Sequence, residues 1–446
     1  VARRADRAGA LLQSLEKAWA RSDEIFRILT PDGLAARPIA LRQPFIFYLG
    51  HLPAFAWNQV GRGLLGRSSF DPGFDDLFAR GIDPMETDGF PPPPSEVWPA
   101  VARVLPYRDR IRDALRAAGA ELEARAESDA DVLVQQARIY AVVLEHELMH
   151  HETLLYMMQQ LPHTQKIRPA GLPPLEGFGA PPPATVSVPG GRVRIGVDFD
   201  DLPFGWDNEF GRQDVEVDAF ALDATPVRNR EFLEFVTAGG YTRRELWGDD
   251  DWAWRERRRM VHPLMWRRSE RGWAQQTLFE DVPLDEVHDW PVYVSWAEAR
   301  AYCAWRGARL PTEAEWQWAA HGRPGGRMRS YPWGEDPPSP RHGNFGLRHW
   351  SPTPVGRFPE GASAWGALDM VGNGWEWTGT LFGPLPGFTP YIRTYPGYSA
   401  DFFDDRHYVL RGASWATDET LIRRSFRNWF QPHYPYVFAK FRCISD

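Results

Sequence analysis

Only two cysteines, Cys303 and Cys443, occur in 446 residues, too few for the disulfide framework of a small secreted scaffold. No run of 18 apolar residues is present, so a membrane-spanning helix is not expected. Basic residues are in deficit as well. Lys and Arg number 51 against 59 Asp and Glu, a formal net charge of -8, which leaves no basic surface for nucleic acid. Residues 1 to 20 lack the charged, apolar and small-residue succession of a secretory leader. These absences together predict a soluble, cytoplasmic protein with neither nucleic acid nor membrane as a partner.

What is present changes character along the chain. The first part has long stretches with isolated breakers, at Ala5 to Ile28, Phe45 to Leu65, Val97 to Ala124 and Asp129 to Gln160, which read as four helices of an antiparallel bundle. Pro53 and Pro106 are expected to kink or shorten the second and third, and Gly81 to Pro94 reads as a loop. The mixed-sign run from Arg110 to Arg116 reads as a solvated helical face. From Pro169 to Pro189 the chain is dense in Pro and Gly, a composition that predicts a connector without helix or sheet. Beyond it lie short strand-like segments, many turns and most of the 21 Trp residues. That pattern predicts an irregular α+β domain, with helices at Asn229 to Thr237 and Ser295 to Arg306. The expected organisation is therefore a bundle over residues 1-168, a connector over 169-189 and an α+β domain over 190-446.

Chemistry is concentrated in the first domain. In His146-Glu147-Leu148-Met149-His150-His151-Glu152 two imidazoles stand four residues apart, the spacing that stacks both on one helical face. His-Glu-x-x-His is the signature of zinc peptidases, whose Glu, here Glu147, acts as general base. The extended form of that motif needs a Gly and a third His shortly afterwards, and neither follows. Another His lies upstream, in Phe47-Tyr48-Leu49-Gly50-His51-Leu52-Pro53, alone among aromatic and aliphatic neighbours where a polar ring needs a partner or a metal. Three neutral imidazoles suit zinc, copper, iron or nickel, and composition does not choose among these. A binding protein without catalysis is the third class of function these residues allow.

Taken with the motifs of its second half, the chain resembles the ergothioneine-type sulfoxide synthases. The resemblance rests on His51 within Leu49-Gly50-His51-Leu52, on His146-x-x-x-His150-x-Glu152, and on five later segments in order: Phe220-Ala221-Leu222-Asp223-Ala224-Thr225-Pro226-Val227-Arg228-Asn229, Arg309-Leu310-Pro311-Thr312-Glu313-Ala314-Glu315-Trp316, Gly372-Asn373-Gly374-Trp375-Glu376-Trp377-Thr378, Arg411-Gly412-Ala413-Ser414-Trp415 and Phe426-Arg427-Asn428-Trp429. It implies a DinB-like four-helix bundle followed by an irregular α+β domain like that of the formylglycine-generating enzyme, itself related to the C-type lectins. It further implies Fe(II) held by His51, His146 and His150, with hercynine, dioxygen and a chalcogen donor as the reactants. Binding these together turns a three-body encounter into a local one. Glu147, Glu152 or another acceptor would fix the histidine tautomers.

The same resemblance suggests Asn428 and Trp429 as contacts to hercynine, since an indole face suits a quaternary ammonium and an amide meets a carboxylate. Phe47, one turn before His51, would complete an apolar wall. Tyr391 is the candidate for the phenol that supplies a proton to reduced oxygen. Trp375, Trp377 and Trp415 read as core packing. The copper-dependent formylglycine-generating activity is not expected, because Ala416-Thr417 stands where one cysteine of its pair would lie, and Cys443 reads as a solitary buried residue.

Departures from the family pattern bear on the donor. Members that use γ-glutamylcysteine present arginines before the third bundle helix; here Gly89-Phe90-Pro91-Pro92-Pro93-Pro94-Ser95-Glu96-Val97-Trp98 contains none. Phe430 stands where an Asp follows the Asn-Trp pair in mycobacterial-type members. These changes resemble the selenoneine synthase branch, whose donor is a selenosugar, and Phe90, Trp98 and Phe430 would offer it aromatic faces. The alternative is an ergothioneine-pathway enzyme that takes cysteine or γ-glutamylcysteine.

Overall fold

The computed structural model describes residues 7-79, 98-126, 129-270, 272-326 and 328-445; Phe90 and the expected loop from Gly81 to Pro94 lie outside them. The chain divides into two compact units. One comprises Val1–Pro169 with the distant segment Tyr391–Pro396, and the other Ala170–Pro390 with Gly397–Asp446.

The first unit holds helices α1 (Arg7–Arg27), α2 (Pro31–Ala35), α3 (Phe45–Trp57), α4 (Pro72–Phe78), α5 (Val101–Arg125) and α6 (Arg138–Gln159). The buried residues of α1, among them Ala8, Leu15, Ala18, Trp19, Ser22 and Ile25, recur at helical spacing, as do Val104, Ile111, Leu115 and Leu122 of α5. Both are amphipathic outer helices of a bundle. Every residue of α3 is buried, and α6 is buried on nearly all sides, so these two form its interior. That is where the histidines sit.

Three expectations need correction here. The helix expected from Phe45 to Leu65 is α-helical only to Trp57 and then widens into a π-helical stretch, Asn58–Leu64; Gly61 passes so close to the Trp57 indole that a Cβ would meet it at 2.4 Å. The helix expected from Asp129 starts only at Arg138, after Gln136 and Ala137 take left-handed conformations. Asp129 and Asp131 accept from the backbone N–H groups two residues on, a local turn that competes with helix. The charged run is not merely solvated either, for Arg112 pairs with Asp23 of α1 and lies over the Trp19 ring. Pro53 and Pro106 lie inside α3 and α5 without ending them.

The second unit is α+β. In chain order it contains β1 (Thr185–Val188), β2 (Gly191–Ile195), β3 (Gln213–Val217), β4 (Phe220–Asp223), α7 (Asn229–Thr237), α8 (Asp249–Arg258), β5 (Trp266–Ser269), β6 (Gly272–Gln276), β7 (Asp281–Pro283), α9 (Trp296–Trp305), α10 (Glu313–His321), β8 (Gly374–Leu381), α11 (Gly397–Ala400), β9 (Tyr408–Ala413), β10 (Asn428–Phe430), β11 (Ala439–Lys440) and β12 (Ile444–Ser445). The strands form small sheets, ordered β1-β4-β12, β10-β9-β8-β11, β2-β3 and β5-β6-β7. β1 lies in the stretch expected to hold no sheet; Thr-Val-Ser-Val is a locally β-favouring run and pairs antiparallel with β4.

Trp375, Trp377 and Trp415 are buried in this unit. Its most enclosed charges are those of Glu376, which accepts from Lys440, Arg442 and the Trp316 indole. Cys443 is not solitary: its sulfur lies 3.3 Å from that of Cys303 on α9, and both are buried as free thiols. No described helix is long and apolar enough to cross a membrane.

Candidate metal centre

His51 lies in the middle of α3, and its ring is aimed by the helix that follows. Gly50 lets Phe78 of α4 approach so closely that a Cβ would meet its ring at 2.3 Å. That approach brings the Phe78 carbonyl to 2.7 Å from His51 Nδ1. A carbonyl only accepts, so Nδ1 carries the proton and Nε2 keeps the lone pair.

On α6, His146 and His150 stand one turn apart, with their Nε2 atoms 3.2 Å from each other. One ligand-capable atom from each of His51, His146 and His150 lies within 4.8 Å of the others, and all three residues are buried. Neither Glu147 nor Glu152 belongs to this group. Burial pushes the His51 pKa down to about 4, against a smaller upward pull from the Phe78 carbonyl. His146 is held well below its ordinary value by burial and then by His150 and His51. His150 is lowered by burial, His51 and Arg42. Three neutral rings therefore offer lone pairs to one point.

Two facing Nε2 atoms can share at most one proton between neutral rings, and His150 Nδ1 is buried without a hydrogen-bond partner among the described residues. An all-nitrogen donor set of this kind fits a divalent transition metal.

Aromatic rings enclose the cluster. Phe47 stacks on His51 with centroids 5.0 Å apart and meets Trp98 edge-on at 6.0 Å. Tyr48 tilts toward His150 at 5.6 Å. Phe55 lies against His146 and also meets Tyr395 in a T-shaped contact at 5.3 Å. Tyr395 belongs to the segment Tyr391–Pro396, which Gln59 holds through the Thr394 carbonyl and Arg393 holds through Asp131 and the Gly63 carbonyl. Tyr391 opens the same segment, half-buried. Sequence reasoning missed Tyr395 and Phe55. For Phe55 the signal was present, four residues after His51; for Tyr395 there was none, because more than 300 residues separate it from α3.

The Glu of the His-Glu-x-x-His motif faces elsewhere. Glu147 accepts a hydrogen bond from Ser22 of α1, and Ser22 Oγ is also 2.8 Å from His151 Nε2. A peptidase general base would stand beside the metal-bound water; this carboxyl is tied into the bundle instead.

Asn428, Trp429 and Phe430 are in the second unit, forming β10 at the edge of its four-stranded sheet and pairing with Leu410, Val409 and Tyr408. Trp429 is stacked on Phe382, centroids 4.2 Å apart, and Phe430 on Tyr434. Asn428 Oδ1 accepts from the Trp429 N–H. Arg427 points inward and pairs with Glu313.

Comparison with known proteins agrees with this architecture. Residues 175–446 match the sulfatase-modifying factor enzyme 1-like domain, and residues 14–154 the DinB superfamily. The chain is 39% identical over 317 residues to the hercynine oxygenase of Mycobacterium tuberculosis, covering 69% of this chain and 71% of that protein. It is 29% identical to ergothioneine biosynthesis protein 1 of Neurospora crassa over 98% of this chain and 57% of that one. Its second half is 36% identical to an inactive C-alpha-formylglycine-generating enzyme 2 of Bos taurus, over 52% of this chain and 75% of that protein. A DinB-like helical region thus precedes a domain like the formylglycine-generating enzymes.

Proposed function

Because the chain belongs to the hercynine oxygenase family and is an oxygen-dependent oxidoreductase, we propose that it joins a chalcogen atom to the imidazole carbon of hercynine, with Fe(II) held by His51, His146 and His150. The observation that carries this reading is the convergence of three buried, neutral imidazoles. Bound there, a ferrous ion would supply open coordination positions and a redox-active centre through which dioxygen is reduced at the expense of the imidazole C–H and the chalcogen donor.

The protein's own residues do the rest. His51 keeps its Nε2 lone pair because Phe78 takes the other proton. Phe47, Phe55 and Trp98 exclude water from the site, which strengthens the electrostatics inside it. Asn428 and Trp429 are the proposed contacts to the amino-acid part of hercynine, and Phe430 to the donor. The proton donor is proposed to come from the segment that carries Tyr391 and Tyr395. The contact between Tyr395 and Phe55 favours the second phenol over the first. Paired variants Tyr391→Phe and Tyr395→Phe separate them by which one slows product formation.

For the donor, a selenosugar remains the preferred proposal, on the absence of arginine from Gly89 to Trp98 and on Phe430. The alternative, an amino-acid thiol, would draw on a basic group from elsewhere in the bundle: the buried Arg42, which donates to Tyr156 and the Leu41 carbonyl and whose charge helps to lower the His150 pKa, is the candidate, since a guanidinium is well shaped for a carboxylate. Offering selenoglucose, thioglucose, cysteine and γ-glutamylcysteine in parallel, with Fe(II) and hercynine, decides between them. A preference for an amino-acid thiol rejects the selenosugar.

The metal reading is tested by His51→Ala. The variant should retain no bound iron by elemental analysis and show no hercynine-dependent oxygen uptake. A variant that keeps full iron occupancy overturns the proposed ligand set.

A further inference from the structure

Ser22 is one of the few polar residues on the buried face of α1, only 1% exposed, and a single hydroxyl there touches two residues of α6. It donates to Glu147 Oε1, and its oxygen is 2.8 Å from His151 Nε2. A hydroxyl has one proton to give. With that proton spent on Glu147, the bond to His151 runs the other way, so His151 carries its proton on Nε2 and donates to Ser22 Oγ. Glu147 and His151 are themselves 3% and 2% exposed.

Their positions give this contact its meaning. Glu147 directly follows His146, and His151 directly follows His150. An α-helix turns about 100° per residue, so the pair 147/151 forms a second stripe beside the stripe of the two candidate ligands. Ser22 holds that second stripe at two successive turns. We infer that Ser22 is a positioning residue for the metal centre: by gripping Glu147 and His151 from α1, it fixes the rotation of α6 about its own axis and with it the aim of His146 and His150.

The inference rests on the proposed metal site but adds a residue that touches no ligand. Rotating a helix by about 10° moves an atom roughly 6 Å from its axis by roughly 1 Å, which exceeds the tolerance of a preorganised site. Without the hydroxyl, a buried carboxyl and a buried imidazole both lose a partner. The adjoining cavity, lined by Ser22, Glu147, Trp19 and Arg112 among others, has a volume of about 10 Å³, room for one water. Ser22→Ala is therefore a poor probe, since a water could replace the lost oxygen.

Ser22→Thr and Ser22→Val are the better pair, equal in shape and different only in the hydroxyl. The metal-free full chain of each would be titrated with Co(II) alone under anaerobic conditions, recording affinity and the ligand-field absorption bands. Ser22→Thr should bind within about threefold of the parent with the same bands. Ser22→Val should lose at least about 10-fold in affinity, with shifted bands, as expected when two ligands are re-aimed at a site that tolerates about 0.5 Å. Equal affinity and identical spectra for the two variants would overturn the inference. If the parent binds no Co(II), or His51→Ala binds it as well as the parent does, the metal reading fails and the inference falls with it. Should Ser22→Val not fold, Glu147→Gln, which keeps an acceptor oxygen for Ser22, and Glu147→Met, which does not, pose the same question from α6. The Gln variant should bind as the parent does and the Met variant more weakly; equal binding by both overturns the inference.

Discussion

The ring of Phe55 lies flat on the imidazole of His146, with centroids 3.5 Å apart and planes 7° from parallel. The stack limits how far this imidazole can swing, and the buried phenyl fills the space behind it. Phe55→Ala should therefore cost about 3–5 kcal/mol, the range for emptying a buried phenyl site, measured by urea unfolding of the metal-free protein. Phe55→Leu should cost less, since it retains most of the volume. A loss below about 1 kcal/mol for the alanine variant would mean that the ring bears little packing.

The segment Tyr391–Pro396, which meets Phe55 through Tyr395, is tied to the bundle by several polar contacts and contains the fully buried Ile392. The Arg393 guanidinium is half exposed and forms two bonds to one oxygen of Asp131. Exposed ion pairs contribute about 0.2–1 kcal/mol. Arg393→Ala should leave global stability within about 1 kcal/mol of the parent, while the backbone amides of the segment exchange with deuterium several-fold faster. Unchanged exchange would mean that Gln59, Tyr395 and the buried Ile392 hold the segment without help from Arg393.

The legibility of this molecule follows the range of its interactions. The four long helices and the ligand spacing on α6 were readable because helical periodicity is local, and Asn229–Thr237 matches its expected bounds. Helix α10 is announced only by its start, where Thr312 and Glu315 form a reciprocal cap, a local signal that lies within residues 309–316. The π-helical turn and the late start of α6 were not readable. The first depends on the Trp57 ring lying against Gly61, the second on aspartates competing for backbone N–H groups. Least legible were the pairings between distant residues, such as Ser22 with Glu147 and Tyr395 with Phe55. Nothing in the neighbourhood of either partner announces the other.

Cys303 and Cys443 also meet only in space. Each is about 1% exposed, and contact with Cys303 together with burial holds the Cys443 thiol well above its ordinary pKa. The thiolate is the reactive form. In the native protein at pH 8, a chromogenic thiol reagent should therefore count close to zero fast-reacting sulfhydryls, rising to two in denaturant after reduction. Rapid reaction of either thiol without denaturant would show that the C-terminal strand opens readily.

The Glu376 carboxylate receives Lys440 and Arg442 in a site closed to solvent, all three side chains being fully buried. Burial alone would raise its pKa, but Arg442 and Lys440 outweigh that and hold it below the ordinary 4.5. Since the folded value is lower than the unfolded one, the ionised form is favoured by folding. The stabilisation is fully present above about pH 4.5 and is lost as pH falls through the lower folded value. Breaking such a buried pair from one side leaves charge uncompensated and costs about 3–5 kcal/mol. Glu376→Gln should accordingly lower the melting temperature strongly at pH 7, and the gap to the parent should narrow as the pH is taken from 5 toward 3. A gap that stays constant over that range would mean that the carboxyl does not titrate with folding, and that the two cations are neutralised by other groups.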